Sequence, residues 1–205
     1  MGMIGSLTRV AEETRISLFE DPERINQLLY PEFDELPQPK QGLLARLFGK
    51  KQEAKVPSPP IDSIPEDDSM DLDKTWHALH FLFTGSDWEG DFPNGFLVSC
   101  GEPVGDVDVG YGPAKAFTPT QVSEIMNFLE NLDLVDLRKR FDPKKMHEME
   151  IYPSIWDNSA DPDQELEYVF GGLDELRDFV KETVSRQMAL LVYICLLYTS
   201  DAADE

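Results

Sequence analysis

Apolar residues cluster at the two ends of the chain and recur at helical spacing between them. The first ten residues, MGMIGSLTRV, read as a strand, with Gly2 and Gly5 where another backbone or a helix comes close. Ala11–Glu20 reads as a short helix. Asp21-Pro22 then restarts a helix, with Asp as cap and Pro at the first helical position, carrying Ile25, Leu28 and Leu29 to about Tyr30. In Asp71–Gly85 the residues Leu72, Trp76, Leu79 and Phe83 follow helical spacing, and Ala78, Phe81 and Leu82 make the opposite side apolar too. A helix apolar nearly all round is a central one. Gly85 stands where a left-handed cap is needed. Gly95–Gly101, GFLVSCG, reads as a middle strand.

FTPTQV, Phe117–Val122, is the clearest local signal. Thr118 and Gln121 form a capping box, Pro119 takes the first helical position, and Phe117 with Val122 supplies the hydrophobic staple. That helix runs to about Asn131. Shorter helices follow over Leu134–Arg140 and from Asp142-Pro143 to about Met149. An acidic helix over Asp163–Phe170 is expected to break at Gly171-Gly172, before a last long helix over Leu173–Arg186. Met188–Ile194, MALLVYI, reads as a strand flanked on both sides. Few strands and many helices, with two strands from the chain ends, indicate α+β. The expected architecture is a small mixed sheet of N-terminal, middle and C-terminal strands packed with several helices in one domain, residues 1–194.

Composition changes this picture in three places. Residues 31–68 hold seven of the fifteen prolines and read as a loop excursion, within which Gly42–Lys51 has the pattern of a small basic amphipathic helix, expected to pack on the domain's own surface rather than on a membrane. The last eleven residues, Cys195–Glu205 (CLLYTSDAADE), resemble a translated sequencing adapter and are set apart from the fold. Without that tail the net charge moves from −22 to −19, and Cys100 stands alone with no partner for a disulfide. A surface this acidic repels phosphate backbones, which argues against nucleic acid; solubility and ordinary composition account for the charge, and the sharper reading is a basic protein partner. No apolar run approaches the ~20 residues that span a bilayer. The start of the chain has neither the basic residues nor the apolar centre of a secretory signal, so the expected compartment is the cytoplasm.

MGMIG, LDKTWHALHFLFTG, GEPVGDVDVGYGPAKAFTPTQV, MEIYPSIW and the terminal apolar strand, in that order, resemble the YfbM-like family of bacterial proteins, a domain of unknown function. The resemblance implies an α+β domain. It also weighs against reading Met-Gly-x-x-x-Ser at the start as a myristoylation address, since bacteria generally lack the transferase. Where the family often carries Arg after Gly-Pro-Ala, this chain has Lys115, which lacks the planar fork for a bound anion.

Candidate chemistry is sparse. His77 and His80 lie three apart and share a helix face, with His147 as a third histidine. Yet HxxH without a cysteine pair is weak as a metal motif, and a core role bonded to backbone is the favoured reading. Gly110–Lys115, GYGPAK, lacks the Lys-Ser/Thr of a phosphate loop and reads as a shaped turn around Tyr111, with Lys115 and the start of the following helix as an anion-attracting alternative. Asp106 and Asp108 form an isolated DxD of little weight. Trp76, Trp88, Tyr111, Tyr152 and Trp156 come from distant segments and either build core or converge on a pocket. No nucleophile–base order or nucleotide fingerprint stands out, and no cofactor or metal is expected. The first reading is therefore a non-catalytic binding module whose acidic surface meets a basic protein. The alternative is a small-ligand binder or enzyme with a pocket formed by the Gly110–Lys115 loop and the His77/His80 helix, lined by Trp76, Tyr152 and Trp156.

Overall fold

The computed structural model describes residues 2–30, 64–156 and 161–197. Its strands are β1 (Gly2–Val10), β2 (Ser69–Asp71), β3 (Glu102–Pro103), β4 (Lys115–Phe117) and β5 (Ala189–Leu197). Its helices are α1 (Glu12–Glu20), α2 (Arg24–Leu29), α3 (Thr75–Thr84), α4 (Pro119–Glu130), α5 (Leu134–Arg140), α6 (Pro143–Glu148) and α7 (Pro162–Ser185).

The two chain ends form the centre of the sheet. β1 pairs antiparallel with β5 from Gly2↔Leu197 to Val10↔Ala189, and the strand order is β2-β1-β5-β4-β3. The α+β architecture expected from sequence is present. The sheet, expected to be mixed, is antiparallel in every pairing. β4 and β5 run in opposite senses although α4 to α7 lie between them in the chain.

Alternation along β1 and β5 feeds two cores. Leu7, Leu190, Val192 and Phe117 face α3, α4 and α7. Val10, Leu191 and Ala116 face the other way, against Leu18 of α1, Ile25 and Leu28 of α2, and the loop residues Val104 and Val109. α3 is the central helix, with every residue from Thr75 to Phe83 buried. Gly85 ends it in the left-handed conformation (φ 77°), its N–H donating to Phe81 O at 2.7 Å. The capping box of Thr118 and Gln121 is formed at the start of α4.

Four expectations change. Gly171-Gly172 does not break the helix, because α7 runs unbroken through both. A Cβ on Gly172 would lie 2.6 Å from Thr75 Oγ1, so the missing side chain serves the close crossing of α7 and α3. Gly95–Gly101 is a run of turns rather than a strand: Gly95 O accepts from the amides of Val98, Ser99 and Cys100, while Phe96 and Leu97 are buried. The strands that this part of the chain does supply are β4, three residues and too short to show a period, and β3, at the edge of the sheet. Residues 66–68, at the end of the proline-rich excursion, form a 3-10 turn that buries Asp68. The rest of the excursion, including Gly42–Lys51, lies outside the described residues. Finally, β5 continues past the expected boundary at 194, with Cys195–Leu197 opposite Ile4–Gly2. Ladder bonds are made by backbone, so this pairing needs no particular side chain there. No helix among the described residues is long and apolar enough to cross a membrane.

Candidate functional site

The segment after α3 is pinned to it by hydroxyls, carboxylates and an imidazole. Thr84 Oγ1 donates to His80 O at 2.8 Å and accepts the Ser86 amide at 3.1 Å. Asp87 Oδ1 accepts from the Trp88 amide at 2.8 Å and from Ser86 Oγ at 3.1 Å. The Trp88 amide is the main reason the Asp87 carboxyl sits below the usual carboxylate range.

His77 joins this loop to another. The Tyr152 amide donates to His77 Nδ1 at 2.9 Å, so Nδ1 carries no proton and Nε2–H donates to Asp87 O at 2.8 Å. The neutral ring is thereby specified. Burial pushes its pKa below the ordinary histidine value, against a smaller opposing pull from the Asp87 backbone. Tyr152 in turn accepts the Met3 amide on its hydroxyl at 3.0 Å, which ties the 151–156 turn to β1.

On this base the aromatic rings form a chain that reaches the surface. Tyr152 stacks with Trp76 (centroids 6.0 Å), Trp76 with His77 (4.7 Å), His77 meets Trp88 (4.7 Å), and Trp88 stacks on Tyr111 (5.8 Å, 22° between planes). The inner members are sealed, with Trp76 and His77 each 1% exposed; Trp88 is 40% and Tyr111 56% exposed. The Tyr111 loop is held against the sheet: its amide donates to Ile194 O at 3.0 Å, and Asp108 Oδ1 accepts from Gly110 and Gly112. A Cβ on Gly110 would lie 2.7 Å from Ile194 O, so only glycine lets the loop come this close.

The structure thus brings together Trp76, His77, Tyr111 and Tyr152. Two other candidates go elsewhere. Trp156 is a core residue whose Nε1–H donates to Ile151 O at 2.7 Å and whose ring meets Phe141 edge-on. Lys115 lies on β4 between Val192 and Pro103. Beside it, the α4 capping box already bonds the Thr118 and Gln121 amides, and Pro119 has no N–H to offer, which removes much of the support for an anion there. Among the described residues no group of three or more His, Cys, Asp or Glu is arranged to hold a metal. The sequence reading of the site left out Asp87, gave Asp108 little weight as half of an isolated DxD, and placed Trp88 only among the aromatics. Asp two residues before Gly-x-Gly is a readable Asx-turn signal, but the stacking of Trp88 on Tyr111 has no local signature.

His80 is 0% exposed, and its two ring nitrogens, like Trp76 Nε1, have no hydrogen-bond partner of normal geometry among the described residues. Burial pushes its pKa down to about 4, with a further push from His77 and weak opposition from the Glu89 and Asp87 side. Unfolded, the imidazole titrates near ~6.5. Below that value the unfolded chain takes up a proton that the folded one refuses, so the contribution to stability is complete above about pH 6.5 and is lost as pH falls towards 4. The loss is expected to be on the order of 3 kcal/mol, at ~1.4 kcal/mol per pH unit. Carboxylates also titrate in this window, so the measurement is the difference between wild type and His80→Leu in urea unfolding from about pH 7 to about pH 4.5. Parallel curves for the two proteins would contradict the assignment.

Residues 1–193 match the family described as a domain of unknown function, DUF1877. The chain belongs to that family. It is 33% identical over 87 residues to Protein YfbM of Escherichia coli (strain K12), a match that covers 42% of this chain and about half (52%) of that relative's length. The crystal structure of YfbM from Escherichia coli, a protein of unknown function, superposes with a TM-score of 0.61 at 20% identity, over 93% of this chain and 99% of that one. This likeness shows the fold.

Proposed function

We propose that this DUF1877 protein is a non-catalytic binding module that recognises a basic protein through the exposed Trp88–Tyr111 pair. The observation that carries the proposal is the pair itself: two large aromatic rings stacked at 5.8 Å, both exposed, on loops fastened by backbone hydrogen bonds. Asp87, Glu89, Asp91, Asp106 and Asp108 lie on the same two loops, within a chain of net charge −22. Aromatic faces attract guanidinium and ammonium groups, at about 0.5–1 kcal/mol each at exposed sites, and carboxylates around them add both attraction and steering. Rigid aromatic anchors are also the residues on which binding energy concentrates. The setting proposed for this contact is the cytoplasm. The alternative of a catalytic pocket with the histidines at its edge draws little support from imidazoles that are 0–1% exposed.

The test is affinity capture of basic proteins at low and high salt with wild type and the Trp88→Ala/Tyr111→Ala variant. A salt-sensitive basic partner is expected, with affinity about tenfold or more weaker for the variant. Capture unaffected by both salt and the double substitution would reject the proposal.

A further inference from the structure

Next to this surface, α3, α4 and α5 enclose an open groove of about 520 Å³. Its floor is apolar, supplied by Phe83, Pro93, Phe128 and Leu132, while Asn94, Asn127 and Asn131 stand along it. A second hollow, lined by Thr84, Ser86, Glu89, Gly90 and Asp91, has Asn94 in common with the first. We infer that the groove takes a lysine- or arginine-bearing peptide segment of the partner, held by its backbone. The inference rests on the basic-partner reading above and states the form in which that partner is bound.

The asparagines carry the argument. A carboxamide offers the same donor and acceptor as a peptide group. Asn131 Nδ2 donates to Asn127 Oδ1 at 3.1 Å and to Asn127 O at 2.8 Å, leaving the Asn127 NH₂ and the Asn131 side-chain oxygen to serve a ligand. Joined to each other at 3.1 Å, the two carboxamides together keep one NH₂ donor and one C=O acceptor, the complement of the C=O and N–H that a peptide backbone presents. A phosphate or nucleotide would find the wrong charge here. Asp136 is committed to Arg140 (2.7 and 3.0 Å), and Asp133 caps α5, but Glu124 in the first hollow and Glu89 and Asp91 in the second remain to meet cations. An apolar side chain between the cations would settle on Phe83 and Phe128, which pack edge to face at 5.3 Å.

The experiment is fluorescence anisotropy of the whole protein with a labelled peptide carrying lysine at alternate positions and one central leucine. The same peptide N-methylated at alternate backbone amides serves as the comparison. The native-backbone peptide is expected to bind, and both N-methylation and the Asn127→Ala/Asn131→Ala variant are expected to weaken it about tenfold. Both asparagines are exposed, and circular dichroism with thermal melting checks that the variant folds. Equal binding by the N-methylated peptide and by the variant would overturn the inference, leaving charge attraction alone. Trp88→Ala separates the two readings. If it abolishes binding while the asparagine variant does not, the aromatic surface stands and the peptide groove falls. If the asparagine variant abolishes binding while Trp88→Ala does not, the groove stands alone.

Discussion

Replacing Asp68 by alanine is expected to cost about 3–5 kcal/mol of stability, the range for breaking a buried ion pair from one side. Asp68 is 5% exposed and holds both arms of Arg186, with its Oδ2 3.0 Å from Nη2. Its Oδ1 also lies 3.8 Å from Nε of Arg9, a β1 residue whose side chain is 1% exposed. Arg9 has Glu182 at 2.9 Å, an ion-pair distance without hydrogen-bond geometry, and lies 4.0 Å above the Phe179 ring. Without Asp68, a sealed guanidinium keeps one imperfect counter-charge. At ~2–4 °C per kcal/mol for a chain of this size, the melting temperature is expected to fall by roughly 6–20 °C. Arg186→Ala leaves the buried Asp68 carboxylate with only Arg9 Nε, at 3.8 Å, among the described residues, so it too is expected to destabilise, by about 1–3 kcal/mol, towards the smaller value because the arginine side chain itself is 40% exposed. Adding Arg9→Met to Asp68→Ala is expected to recover part of the loss, because the stranded charge is gone. Thermal and urea unfolding of these variants and of Arg9→Met alone decide the matter. A loss below about 1 kcal/mol for Asp68→Ala, or strict additivity with Arg9→Met, would contradict this account.

Gly5→Ala is the second large effect, and it acts on the site as well as on the fold. A methyl group at Gly5 would lie 2.4 Å from Trp76 Cβ and 2.7 Å from Trp76 Cγ. Trp76 Cβ moves only with the α3 backbone, so no rotamer change relieves the clash. Gly5 is also fastened on its free edge, accepting the Leu72 amide at 2.8 Å and donating to Asp73 O at 3.3 Å. β1 and α3 must therefore separate, at a cost of about 3 kcal/mol or more, the upper part of the overpacking range. The same displacement moves Trp76 and His77, on which Trp88 is seated. A melting temperature lowered by roughly 6–12 °C, with a changed tryptophan emission spectrum, is the expected result. An unchanged spectrum and melting temperature would mean that the approach of β1 to α3 is not what holds this chain of rings.

The same glycine shows how far the sequence could be read. That Gly2 and Gly5 sit in a strand under close approach is legible from MGMIGSLTRV; that the approaching group is Trp76, more than seventy residues away, is not. The candidate site divides in the same way. Trp76, His77, Tyr111 and Tyr152 are readable as aromatic and polar residues on loops and helix ends. Their convergence depends on the Tyr152 amide finding His77 Nδ1 and on the Tyr111 amide finding Ile194 O, bonds between segments 75 and 83 residues apart. Trp156 carries the same sequence signal and ends in the core.

By itself, the sequence determined what short-range chemistry decides. It set the capped and periodic helices α3 and α4, the strands at both ends, the α+β class and the acidic charge, because spacing, caps and turn residues act within a few positions of one another. Only the tertiary structure decided that Gly171-Gly172 lies inside one helix, where Gly172 meets Thr75, and that Gly95–Gly101 folds into turns. It also decided that the sheet is antiparallel and that Trp88 and Tyr111 meet as an exposed stacked pair. Apart from the Gly95–Gly101 turns, whose hydrogen bonds close within the segment, the deciding partner lies far away in the chain, and contact across the fold outweighs the weak preference of the local segment.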